Sequence, residues 1–165
     1  MQRVCVSRSV YPADMRPLAR SAILLAATAA TALGLTACGK EIGRMPMRAE
    51  GQAETTVQAT AGKKLALWTA LDVKFKGVLV ARYDVELVEG GVVVDKAQCD
   101  PLDVSTKIGS KELTINDDRS LSWSGKMRCE LSPTKNGPVT VRAKLVFPQR
   151  PATLTVNDMS LVIKE

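Results

Sequence analysis

Between Ser120 and Leu131 apolar and polar side chains alternate without a break. Leu121, Trp123, Gly125, Met127, Cys129 and Leu131 fall on one side, and Ser120, Ser122, Ser124, Lys126, Arg128 and Glu130 on the other. A period of two is that of a β-strand with one buried face, and Gly125 marks a place where it can bend. The same period sets Leu79, Ala81, Tyr83, Val85 and Leu87 against Arg82, Asp84 and Glu86. It also sets Val139, Val141, Ala143, Leu145 and Phe147 against Thr140, Arg142 and Lys144. Trp123 shares the apolar parity of its strand, so its expected place is the core; Trp68, near the start of the domain, is expected there too.

Turn chemistry punctuates these runs at Glu89-Gly90-Gly91, Asn116-Asp117-Asp118, Pro133 to Pro138, Pro148 to Pro151 and Asn157-Asp158. No amphipathic helix and no internal repeat interrupts them. Short strands joined by hairpin-like turns over residues 63–165, enough chain for one modest core, predict an all-β fold, an antiparallel β-sandwich. An immunoglobulin-like topology is compatible with this pattern, but two hallmarks of antibody domains are missing. Cys99 and Cys129 stand closer together than the usual inter-sheet pair, and Met127 holds the place of the tyrosine-corner residue.

The chain upstream is of two other kinds. Residues 39–62 mix Lys40, Glu41, Arg44, Pro46, Gln52, Glu54, Thr55, Thr56, Gln58 and Thr60 with small residues and show neither helical nor strand periodicity. They read, together with Cys38, as a flexible tether (38–62) that spans roughly 25–30 Å as a coil. Before that, Met15-Arg16-Pro17-Leu18-Ala19-Arg20 is short and basic, and Ser21 to Leu35 is uncharged and carries Ile23, Leu24, Leu25, Leu33 and Leu35. A basic segment, an apolar segment and a small-residue cleavage site describe a signal peptide, here 1–37. A leader starting at Met15 has the usual length of about 15–30 residues, so Met15 is the expected true start.

Leu35-Thr36-Ala37-Cys38 closely resembles the lipobox of bacterial lipoproteins. The resemblance covers Met15 to Cys38 alone. It implies that the Cys38 thiol receives a diacylglycerol, that the leader is cut just before it, and that the new amino group is acylated as well. Two or three acyl chains on one residue make a membrane attachment effectively permanent, where a single chain gives only marginal binding. Gly39 carries no acidic retention signal, so the expected place is the outer membrane of a bacterial envelope, facing the periplasm. No motif beyond Cys38 ties the domain to a family.

That address rearranges the remaining chemistry. Of the four cysteines, Cys5 lies in the leader and Cys38 is taken by lipid, which leaves Cys99 and Cys129 to pair in an oxidising compartment. Four arginines and one aspartate of the total precede Cys38, so the +6 of the whole chain falls to a mild excess of cations afterwards. Neither that charge nor export suits nucleic acid.

The chain has no histidine, which removes Ser-His-Asp and Cys-His catalysis and most zinc or copper sites. Ser132-Pro133-Thr134-Lys135 spells the S-x-x-K of penicillin-binding enzymes, but Asn136-Gly137-Pro138 follows at once and makes it a turn. Asp95, Asp100, Asp103, Asp117 and Asp118 lack the spacing of a calcium loop. No metal or cofactor is therefore expected.

Two roles follow for the domain. The first is a non-enzymatic accessory or interaction domain held on the envelope membrane; the alternative is a module binding a small molecule, glycan or lipid. Lys126 and Arg128 on one strand and Arg142 and Lys144 on another are expected to share a face suited to an acidic partner, provided the two strands neighbour one another.

Overall fold

The computed structural model describes residues 39–165. The signal peptide, the start at Met15 and the acceptor Cys38 lie outside the described residues. From Gly39 onward the chain forms nine strands in two antiparallel sheets, and the antiparallel β-sandwich expected from the alternation is observed.

The five-stranded sheet has the order β1 (Glu41–Met45), β9 (Thr153–Lys164), β3 (Leu65–Lys76), β7 (Asp118–Leu131), β6 (Val104–Ile115). The four-stranded sheet has the order β2 (Gly51–Ala59), β8 (Gly137–Gln149), β4 (Val80–Glu89), β5 (Val92–Cys99). The three apolar rows read from the alternation face each other between the sheets. Tyr83, Leu87, Val141 and Leu145 are fully buried from one side, and Leu65, Leu67, Val73, Leu131 and Leu161 from the other. Gly125 has a packing role: a Cβ there would lie 2.9 Å from Val104 Cγ1 and 3.0 Å from the Thr106 carbonyl oxygen, so glycine lets the edge strand β6 approach. At the β4–β5 hairpin Glu89 pairs with Val92, and both Gly90 and Gly91 have positive φ, the conformation that tight two-residue turns require.

The tether is corrected. Residues 41–45 and 51–59 are strands β1 and β2, and Met45, Met47, Val57 and Ala59 are buried in the core. β2 runs beside β8 from Gly51↔Leu145 to Ala59↔Gly137, and β1 runs beside β9. The physical reason lies in the side chains. In β2 the inward row is Ala53, Thr55, Val57 and Ala59, a period of two written in small residues that carry little hydropathy.

The disulfide is present. Cys99 at the end of β5 and Cys129 in β7 are joined with Cα atoms 5.7 Å apart, which ties the edge of one sheet to the other sheet. The immunoglobulin-like expectation holds in part. The orders β6-β7-β3 and β5-β4-β8 match the central strands of that topology. The terminal strands depart from it, since β9 rather than the first strand flanks β3, and β2 rather than the last flanks β8.

One polar tie crosses the core. The Tyr83 hydroxyl, on β4, donates to the Met159 carbonyl on β9, while the Met159 N–H donates to the Met47 carbonyl at 3.0 Å. Burial pushes the Tyr83 phenol well above its usual range, and the Thr69 hydroxyl offsets this only partly, so it stays a neutral donor. Tyr83→Phe should cost about 1–2 kcal/mol because the Met159 carbonyl loses its donor inside the core. A urea midpoint unchanged by the substitution would contradict that role.

Candidate functional site

The expected basic face does not form. Lys126 and Arg128 lie on β7 in the five-stranded sheet, whereas Arg142 and Lys144 lie on β8 in the other sheet. The chain between them is an inter-sheet crossing rather than a hairpin. It is pinned by the Gly62 N–H on the Pro133 carbonyl (3.1 Å) and the Ala61 N–H on Asn136 Oδ1 (2.8 Å). Three of the four cations also meet carboxylates: Arg128 with Asp103 (2.9 Å), Lys126 with Glu130 (3.7 Å) and Arg142 with Glu54 (3.2 Å).

On the four-stranded sheet the charges form a row of alternating sign. Glu54 on β2 stands opposite Arg142 on β8, Arg142 opposite Glu86 on β4, and Glu86 opposite Lys96 on β5. The next row sets Lys144 opposite Asp84, which pairs with Arg82 at 2.9 Å. A shallow hollow of about 640 Å³ lies over these rows. Each exposed pair contributes little, but together they leave this face nearly neutral and specify the pairing of the strands.

The aspartates serve the backbone. Asp95 accepts from the Ser132 N–H (2.8 Å) and Asp100 from the Leu102 N–H (2.7 Å). Asp117 lies in the β6–β7 turn, and Asp118 opens β7 opposite Ile115. Among the described residues no group of three or more Cys, Asp or Glu side chains could hold a metal ion. Ser132 to Lys135 is the β7–β8 crossing, and its Thr134 hydroxyl is given to Glu89.

The tryptophans divide. Trp123 is in the core, as its parity predicts, with Lys107 Nζ 4.0 Å from its ring centroid. Trp68 is buried too, but it has the parity of Ala66 and Ala70 and lies outside the inter-sheet core; Lys164 Nζ sits 3.9 Å from its ring centroid. Burial pulls the Lys164 ammonium below its usual range.

Glu89, at the end of β4, was not legible as a special residue. It accepts from the Thr134 hydroxyl, the Thr134 N–H (2.7 Å) and the Lys135 N–H (3.4 Å). The Thr134 hydroxyl, aided by these two N–H groups, holds its carboxyl below the usual carboxylate range against the opposing effect of burial. Glu50 and Glu130 are lowered as well, chiefly by the Phe147 N–H and by Lys64 respectively. A depressed folded pKa contributes stability above the unfolded value, about 4.3, and that stability is lost as pH falls through the folded pKa. The urea midpoint should therefore drop from pH 6 to pH 3, and Glu89→Gln should lower it at pH 7 while making the acid slope shallower. An acid slope identical in the variant would show that Glu89 takes no part.

No helix among the described residues is long and apolar enough to cross a membrane. No protein-family model matches the chain, and no curated protein matches it. Among solved structures it is similar to a protein of the infectious bursal disease virus Gt strain, at 13% identity and a TM-score of 0.33 over 76% of this chain and 30% of that one. It is also similar to the insecticidal delta-endotoxin Cry8Ea1 from Bacillus thuringiensis, at 9% identity and a TM-score of 0.30 over 74% of this chain and 19% of that one. The chain thus spans less than a third of either neighbour.

Proposed function

We propose that the chain is an exported bacterial lipoprotein whose Cys38 carries the lipid and whose β-sandwich is a non-enzymatic accessory domain working through its surface at an envelope membrane. The observation that carries this reading is Leu35-Thr36-Ala37-Cys38 placed after a basic and an apolar segment. The Cys99–Cys129 bond supports it, because such bonds persist in oxidising compartments. The interior is lined by large side chains such as Tyr83, Trp123, Met127 and Met159, which favours surface contacts over an interior ligand.

The corrected tether changes the form of the attachment. Two residues after Cys38 the chain is already paired, with the Lys40 N–H on the Glu165 carbonyl at 2.9 Å and the Glu165 N–H on the Lys40 carbonyl at 3.0 Å. A lipid on Cys38 then sets this end of the sandwich directly against the headgroups, with Lys40, Lys63 and Lys64 nearby. Lys63 and Lys64 are paired to Glu165 (3.7 Å) and Glu130 (2.8 Å). Cys38→Ser, expressed in a bacterial host, should accumulate as an uncut precursor, and its processed form should be missing from the detergent phase on partitioning. A Cys38→Ser protein processed like the wild type would overturn the reading.

A further inference from the structure

The end of the sandwich opposite Gly39 has a different character. Val78, in the β3–β4 link, and Leu113 and Ile115, at the end of β6, are each 59% exposed. Gly77, Thr114, Asn116 and Ala152 border one shallow hollow, so the β3–β4 link, the β6–β7 turn and the β8–β9 link meet there. An adjoining hollow of about 340 Å³ is walled by Leu113 and Ile115 and holds Lys74, Arg119 and Asp118 with the hydroxyls of Ser120, Thr153 and Thr155.

Lys74, Lys76 and Arg119 line these hollows, and Lys111 stands two residues before Leu113 on β6. Among the described residues none of the four has a carboxylate within ion-pair distance. Arg119 lies over the Phe75 ring, 5.5 Å from its centroid. Three carboxylates stand among them: Asp117 in the β6–β7 turn, Asp118 at the start of β7 opposite Lys76, and Glu112, which is paired to Lys107.

Exposed aliphatic side chains in one link and at the end of one strand, flanked by cations on long apolar stems that outnumber the nearby carboxylates, suit one environment in both respects. At an anionic bilayer surface the aliphatic groups reach the acyl boundary and the cations meet headgroup phosphates. A soluble acidic partner accounts for the cations alone. We infer that this end is a membrane-contact tip for an anionic bilayer surface. It rests on residues 39–165 and does not depend on the fate of Cys38.

Residues 39–165 contain both sheets, the core and the disulfide, so this unlipidated segment serves for the test. It is sedimented with vesicles of phosphatidylcholine alone and with vesicles containing about one-third phosphatidylglycerol. Binding to the anionic vesicles only is expected, weakened at least tenfold by Lys74→Glu with Lys76→Glu and severalfold by Leu113→Ser with Ile115→Ser. All four side chains are outside the core, so thermal midpoints should stay within a few degrees and certify the fold. Absence of binding to anionic vesicles overturns the inference. So does binding lost on charge reversal but untouched by the serine variant, which would mark a purely electrostatic site for a soluble acidic partner.

Discussion

A chain that begins at Lys63 and lacks β1 and β2 should fail to reach the native state. Met45, Met47 and Val57 are each at most 6% exposed, and burying such side chains stabilises a fold by roughly 1.5–3 kcal/mol apiece. Their sum is comparable to the whole stability of a domain this size, about 5–15 kcal/mol. Their loss would also bare the edge of β9 along Leu161–Lys164 and that of β8 along its length, and unpaired edges invite aggregation. Circular dichroism and limited proteolysis of the truncated chain should show no cooperative transition. A truncated chain that melts cooperatively within about 5 °C of the full domain would restore the flexible tether.

Breaking the Cys99–Cys129 bond should have the next largest effect. Its 30-residue separation corresponds to about 3.5 kcal/mol in the chain-entropy account of disulfides. For a domain of this length that is a fall in Tm of roughly 10–15 °C, read by comparing Cys99→Ala with Cys129→Ala against the wild type, and the wild type with and without reductant. Cys99 is 2% exposed at the end of edge strand β5, so amides of β5 should lose exchange protection first. A Tm indifferent to reductant would mean that the bond contributes nothing.

What could be read from the chain follows from side-chain size. In β4, β7 and β8 large apolar residues alternate with charged or hydroxylated ones, and every inward position assigned to β4 and β8 is buried. β2 obeys the same rule with Ala53, Thr55, Val57 and Ala59, where a methyl or hydroxyl against Gln and Glu gives too weak a contrast to stand out. β1 is five residues long and contains Gly43 and Arg44, too short to show a period.

The disulfide could be reached by elimination among four cysteines. The basic face could not, because it depended on whether the chain after Leu131 turns back within its sheet or crosses to the other. Pro133-Thr134-Lys135-Asn136 fits either course. Hydrogen bonds from Gly62 and Ala61, more than 70 residues away, accompany the crossing. Glu89 and the Val78-Leu113-Ile115 tip were hidden for the same reason, since each joins segments distant in sequence.

The proposed attachment puts the lipid on Cys38 with the fold beginning at once behind it. Intact mass measurement with N-terminal peptide sequencing of the mature protein, isolated from envelopes of a bacterial host, tests this most directly. The account predicts a chain that starts at Cys38 and carries the added mass of a diacylglycerol, with or without a further acyl group on its amino end. A mature chain that starts elsewhere, or starts at an unmodified Cys38, would contradict it.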